Sequence, residues 1–203
     1  MSLVAWIQLL LIGFAIGACL LFVLWWKSNT FSFHRLVLLT VFFTFDLILF
    51  GAFTRLTDSG LGCPDWPGCY GLSNPIAAIN QIRAAENLMP TGPVTLSKAW
   101  IEMLHRYFAM GVGFLIIVIT VWAWLKRQQF GMRIASTASF IFLLVCVQGA
   151  FGAWTVTLKL QPIIVTTHLM LGLTLLAFLT YLSSLSSKLD HGVYGHQKVS
   201  SYR

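Results

Sequence analysis

Apolar residues gather along the chain into five long runs separated by polar connectors: Leu3–Trp26, Leu36–Phe53, Ala99–Leu125, Ile134–Val156 and Ile163–Leu185. Each is near or above the roughly 20 residues needed to cross bilayer hydrocarbon as a helix. None shows the sustained two-residue alternation of a barrel strand. A segment in lipid must also satisfy its own backbone, so the pattern predicts five transmembrane helices. The first run has no basic segment ahead of it and no clear small-residue cleavage site, so it is expected to be retained and not removed as a signal peptide. Its Gly13-x-x-x-Gly17 pair offers a place where another helix can come close.

Composition narrows the solvent. Of 203 residues, 58% are hydrophobic and 9% charged, whereas a soluble domain carries roughly a quarter charged residues. The formal charge of +7 does not point to nucleic acid, because the positive residues fall mostly in short connectors, where they set orientation. Lys27, His34 and Arg35 follow the first span, Lys126, Arg127 and Arg133 the third, and Lys188, Lys198 and Arg203 the fifth. These segments are expected on the cytoplasmic side, which puts the N-terminus outside and the C-terminus inside. The connector Thr54–Lys98 is nearly balanced, with Arg55, Arg83 and Lys98 against Asp58, Asp65 and Glu86. It is expected outside, together with the short turn around Lys159.

The chain reads as one membrane assembly without a soluble domain. Residues 1–30 form an additional N-terminal helix, and residues 35–186 a four-helix membrane domain that includes the outer loop 54–98. Residues 187–203 form a cytoplasmic tail poor in apolar residues and expected to be disordered. At about 45 residues the outer loop is too long for a simple turn, and loops of that length are usually functional or partly structured. It divides into a Gly/Pro/Cys-rich part, Asp58–Pro75, and a more polar part, Ile76–Glu86, that suits a short helix. Met89-Pro90-Thr91-Gly92-Pro93 breaks the chain before the third span.

Candidate chemistry concentrates at the outer end. Cys63 and Cys69 flank Pro-Asp-Trp-Pro-Gly, whose prolines and glycine favour a tight loop able to join the two sulfurs. The first reading is a disulfide, either a structural staple or a redox-active pair. Zinc is the weaker reading, since the site lacks two further ligands. Cys19 and Cys146 lie inside spans, where a thiol behaves as a small hydrophobe.

A histidine inside a membrane span is costly and therefore a functional hypothesis. His105 and His168 each lie roughly 10 Å inside their helix starts, at 1.5 Å rise per residue. Their helices run in the same direction, so the two imidazoles are expected at one depth. There they could ligate a haem iron from opposite faces or, alternatively, make interhelical hydrogen bonds. Ala109, Gly113 and Gly172, at helical spacing from the histidines, leave room for a flat macrocycle, and Arg55, Arg106 and Lys159 are candidates to hold its propionates. Glu102, three residues before His105, shares its helix face. It suits acid–base work, imidazole orientation or charge stabilisation, or else an ion pair with Arg106 or Arg55. Asp46, inside the second span, could face the same cavity and serve a proton path, or make a structural hydrogen bond. Gln148, in Gln148-Gly149-Ala150-Phe151-Gly152, either lines that pocket or marks a segment built for close helix packing.

Together these segments resemble a known family. Gly51-Ala52-Phe53-Thr54-Arg55-Leu56-Thr57-Asp58-Ser59-Gly60-Leu61-Gly62-Cys63-Pro64-Asp65-Trp66-Pro67-Gly68-Cys69 is similar to the first outer loop of haem A synthase. Glu102-Met103-Leu104-His105-Arg106-Tyr107 resembles its Glu-x-x-His-Arg motif, and Gln148–Thr157 followed by His168 resembles its next helix pair. The resemblance spans about residues 36–185; added to the five spans of an all-α integral membrane protein read above, it implies that the last four form a haem-binding four-helix bundle. It further implies a haem-dependent oxidoreductase of a bacterial-type inner membrane, oxidising a methyl group of haem O to the formyl group of haem A for terminal oxidases. By the same resemblance Glu102 is the catalytic acid/base or charge stabiliser, and His105 and His168 are haem ligands. Cys63 and Cys69 become a redox or structural pair, with haem b as cofactor, haem O as substrate and haem O synthase as a candidate partner. The family has eight core helices with a histidine pair in each half. The four core helices here match its first half, so a homodimer or a separate second half is expected. The alternative is a non-catalytic bis-histidine b-type haem protein for electron transfer or haem delivery.

Overall fold

The computed structural model describes residues 3–23, 25–26 and 32–189 in full, and the backbone alone at Leu24, Lys27 and 190–200. It contains seven helices among the described residues: α1 (Leu3–Lys27), α2 (Phe33–Leu56), α3 (Ile79–Leu88), α4 (Leu96–Leu125), α5 (Arg127–Phe130), α6 (Met132–Thr157) and α7 (Pro162–Ser200). Five of them, α1, α2, α4, α6 and α7, are long and apolar enough to cross a membrane. No strand occurs among the described residues, and a lone bridge joins Cys69 and Leu72. The protein is an all-α integral membrane protein. Each predicted span lies inside one helix. Polar caps carry two of the helices beyond their apolar runs: Ser32 Oγ accepts the Arg35 N–H at the start of α2, and Thr95 Oγ1 accepts the Lys98 N–H at the start of α4.

The helices α2, α4, α6 and α7 pack as a closed ring in that order, with each touching its two neighbours. Thus α4 and α7, which run in the same direction, stand on one diagonal, and α2 and α6 on the other. The helix α1 packs outside the ring against α4. Gly13 and Gly17 permit the approach: a Cβ at Gly13 would lie 2.7 Å from Met110 Cβ, and one at Gly17 would lie 2.1 Å from Phe114 Cδ1. The small-residue pair read from the sequence therefore has α4 as its partner.

The apolar core fills one half of the ring. Leu36, Val37, Val112, Leu115, Ile116, Ile119, Ile141, Leu175, Leu179 and Leu182 are all buried there. At that end His34 Nδ1 and Ser186 Oγ hydrogen-bond at 3.0 Å, tying the start of α2 to the far part of α7. The apolar packing stops at Leu47, Val112, Val145 and Leu175. Beyond that level glycines, His105, His168 and Gln148 appear among apolar Ile48, Phe50 and Phe108, with the Phe50 ring 6.0 Å from that of His105.

At the loop end both outgoing helices close in the same way. Ser59 N donates to Thr54 O at 2.9 Å past α2, and Leu160 N donates to Thr155 O at 2.7 Å past α6. Asp58 and Lys159 carry the left-handed residue that this reversal requires, with φ of 52° and 51°. Leu160 then packs on Gly60, where a Cβ would be 3.2 Å from its Cδ2, so the short α6–α7 turn leans on the long loop. Within that loop the short helix starts at Ile79 instead of the predicted Ile76. Residues 76–78 form a turn in which Ala77 N donates to Asn74 Oδ1. In the backbone, residues 187–200, expected within a disordered tail, continue α7. An existing helix extends without a new nucleation cost. Residues 201–203 lie outside the described residues.

Candidate functional site

The site is built from a stapled loop set on α4. Gly62 lies so close to the start of that helix that a Cβ would fall 2.5 Å from the Lys98 carbonyl carbon, so only glycine lets the loop touch there. The next residue, Cys63, donates its N–H to Glu102 Oε2 at 2.7 Å. Cys63 and Cys69 form a disulfide with their Cα atoms 4.9 Å apart, and both are fully buried. Two disulfide sulfurs are not thiolates, which removes the zinc reading. Asp65 organises the loop interior by accepting the N–H groups of Tyr70 and Gly71 at 2.6 Å each. Burial, and to a lesser degree the Asp65 carboxylate, push the Tyr70 phenol above its ordinary pKa.

Arg106 locks this loop to α4. Its Nη1 donates to the carbonyls of Asp65 (2.9 Å), Pro67 (3.2 Å) and Gly68 (2.5 Å), while Nη2 is ion-paired with Glu102 Oε1. Both partners are buried, at 4% exposure for Glu102 and 9% for Arg106. Of the readings open for Glu102, the ion pair with Arg106 is present, and both carboxylate oxygens are engaged. Arg106, grouped with the candidate propionate contacts, has its guanidinium committed to the loop. Arg55 and Lys159 are exposed. Tyr107 adds a second tether, donating to Ser73 O at 2.6 Å.

One turn deeper, the histidines stand on the diagonal helices α4 and α7, each against a glycine of the other diagonal. A Cβ at Gly51 of α2 would be 3.0 Å from His105 Cε1, and one at Gly152 of α6 would be 3.2 Å from His168 Cε1. Both Nδ1 atoms are buried without a hydrogen-bond partner. Cβ atoms at Gly113 or Gly149 would meet open space.

A further turn inward, Gln148 of α6 lies against Gly172 of α7 and beside Ile48 of α2. A Cβ at Gly172 would be 3.1 Å from Gln148 Nε2 and 3.7 Å from Ile48 Cγ1. The Gln148 Oε1 atom is buried without a partner. Asp46 does not join this group. It is exposed, and its position two residues past buried Thr44 turns it about 200° around α2 from the packed face.

Sequence spacing alone does not single out Gly51 and Gly152 beside the histidines. One helical turn from Arg55 on α2 and from Gln148 on α6, they carry a spacing signal but no sign of which imidazole each meets. Asp65 likewise counts in the sequence only as a loop charge. Its capping of loop N–H groups follows the general habit of aspartate in turns. No cluster of three or more His, Cys, Asp or Glu side chains suited to a bare metal ion occurs among the described residues.

Fold and site together define a polytopic helical membrane protein with a paired-histidine centre at the loop end of a four-helix ring. The chain belongs to the COX15-CtaA family, described as cytochrome oxidase assembly protein, which matches residues 34–201. Its relatives include a protein of Shewanella oneidensis named heme A synthase, 44% identical over 72% of this chain and 43% of that protein. Heme A synthases of Exiguobacterium sibiricum and Rhizorhabdus wittichii are each 29% identical, over 73% of this chain and 45% and 46% of theirs. The match thus spans less than half the length of each relative. No solved structure matches the chain.

Proposed function

We propose that the chain binds haem between His105 and His168 and takes part in oxidising the haem O methyl group to the formyl group of haem A. The observation that carries this reading is the arrangement at the histidine level: two imidazoles on one diagonal, two glycines on the other, and two unpartnered Nδ1 atoms. The residues present would suit a flat, histidine-ligated group, because no side chain at Gly51 or Gly152 crowds the imidazoles and Gly113 borders open space. Bound there, haem would supply the redox chemistry at its own ring substituent. The polypeptide supplies position, charge and exclusion of water. His105 of α4 and His168 of α7 would hold the iron. The disulfide loop closes the outer end, fastened by Glu102 and Arg106, and this buried ion pair sets the charge one turn above His105. Arg55 and Lys159, exposed at the outer rim, are available to carboxylates of a bound porphyrin, while Arg106 serves them indirectly by fixing the loop.

The family's arrangement calls for a cofactor haem b and a substrate haem O. One histidine pair accommodates one of them, so a homodimer or a separate second half would complete the enzyme, with haem O synthase as the source of substrate. The charge pattern supports a loop end outside, with the N-terminus outside and the C-terminus in the cytoplasm, and the resemblance supports a bacterial-type inner membrane. The test is co-expression with a haem O source, followed by haem extraction and mass analysis. Formation of haem A by the wild type, and its loss in Glu102→Ala, His105→Ala and His168→Ala, is the expected result. Haem b alone with unchanged haem O would overturn the enzymatic reading.

A second reading is favoured by one observation: both oxygens of Glu102 already have partners, leaving no free carboxylate oxygen for proton transfer. On that reading the chain is a bis-histidine b-type protein that carries electrons or delivers haem. It predicts a reversible bis-histidine spectrum and no formyl product.

A further inference from the structure

One turn inward of the histidines, the amide of Gln148 presents a buried oxygen without a partner. Gln148 sits four residues before Gly152 on α6 and therefore one turn inward of His168, since Gly152 is the residue that touches that imidazole. Its amide nitrogen rests against Gly172, itself four residues past His168 on α7, and Ile48 of α2 closes the same spot. Gly172 has no side chain, which admits the amide between the two helices. The amide oxygen is buried and has no hydrogen-bond partner. Ile48 and Gly172 adjoin it, and further inward come buried Thr44, whose Oγ1 is also unpartnered, and the apolar cluster of Leu47, Val112, Val145 and Leu175. A buried polar atom without a partner is disfavoured unless something bound supplies one. In the outer half of a bilayer, that something enters from the histidine level.

The geometry points to Gln148 as the residue that selects a haem bearing a hydroxyalkyl side chain over one bearing a vinyl group, through a hydrogen bond from the ligand hydroxyl to Oε1. This rests on the reading that His105 and His168 ligate haem, and it names which haem they are built to take. The ligand's own polarity sets its orientation. Ionised propionates stay at the aqueous rim beside Arg55 and Lys159, so the prenyl-bearing edge of the ring points toward the membrane interior, where Gln148 lies. Haem O carries a hydroxyl on that edge and haem b does not. A site that offers a buried acceptor to a hydroxyl rejects the analogue lacking it, because the acceptor is then left unpaired.

The experiment titrates haem O and haem b separately into the purified full chain in detergent, following the Soret band. It compares the ratio of their dissociation constants in wild type, Gln148→Leu and Gln148→Met. Haem b affinity in each variant serves as the control for an intact histidine site, and the methionine variant keeps the length of the side chain. The preference for haem O is expected to fall about tenfold in both variants while haem b affinity stays within about twofold. An unchanged ratio would overturn the proposal, whether both haems weaken together or neither changes. Wild-type protein that binds neither haem would instead overturn the underlying haem-ligation reading, a failure visible before any variant is made.

Discussion

At Arg106 one guanidinium serves three loop carbonyls and one buried carboxylate, so a single side chain carries the joint between loop and helix. Removing it leaves Glu102 charged and unpaired at 4% exposure. Arg106→Ala is therefore expected to destabilise the protein by about 3–5 kcal/mol, read as a lowered melting temperature in detergent. Arg106→Lys restores the charge but not the fork, because an ammonium cannot span carbonyls on one side and a carboxylate on the other. It should recover only part of that loss, and full recovery would show that charge alone matters here. The glycines beside the imidazoles work by absence. In Gly51→Val and Gly152→Val the new atoms press on the ring carbons of His105 and His168, where a Cβ alone would already be 3.0 and 3.2 Å away. Haem affinity should fall by roughly tenfold, as when the outer shell of a metal ligand is disturbed. Unaltered haem titration in both variants would separate the histidines from iron binding.

Among the elements, the stapled loop is the most dependent on covalent and polar tethers. Its buried cluster of Cys63, Cys69, Ile82, Ala99 and Met103 is small, and it also draws Leu9 from α1. Replacing both cysteines by serine is expected to cost about 2 kcal/mol, the chain-entropy value for so short a closed loop. Limited proteolysis within residues 58–75 should rise with it. The same treatment loosens the backbone N–H that Cys63 gives to Glu102, so the effect reaches α4. The α1–α4 contact is a separate matter of shape. Gly17→Leu forces a side chain into the ring of Phe114, and such overpacking is expected to cost about 1–3 kcal/mol in melting experiments. A neutral result would mean that α1 can shift along α4 without loss.

For the molecule as a whole, an excess of positive charge stands at the end of the ring opposite the disulfide loop and the histidines. His34, Arg35, Arg127, Arg133 and Lys188 belong to the packed end, where Arg133 also donates to the Tyr181 hydroxyl at 2.5 Å. The disulfide loop and the histidines belong to the other end. If the positive end faces the cytoplasm, a reporter active only outside the cell should work when fused within residues 79–88. A reporter that fluoresces only in the cytoplasm should work at the C-terminus. The reverse pattern would invert the assigned orientation.

Much of this arrangement follows from local signals. The five spans, the all-α class, the closely packing Gly13–Gly17 pair, the Cys63–Cys69 bridge and the parallel run of the two histidine helices all rest on runs, spacings or short-range turn chemistry. Those properties survive without knowledge of the tertiary contacts, because a helix in lipid must satisfy its own backbone and a separation of 6 residues suffices to close a disulfide. Partner choice is another matter. That Glu102 binds Arg106 and Cys63 N–H, that Arg106 holds loop carbonyls and not the rim, that Asp46 turns outward, and that Gly51 and Gly152 face the imidazoles all depend on how four helices rotate about their axes. Helix periodicity says which residues share a face, but not which neighbour that face will meet. Only the ring order and its close packing decide that, because each contact is the joint result of several helices settling against one another.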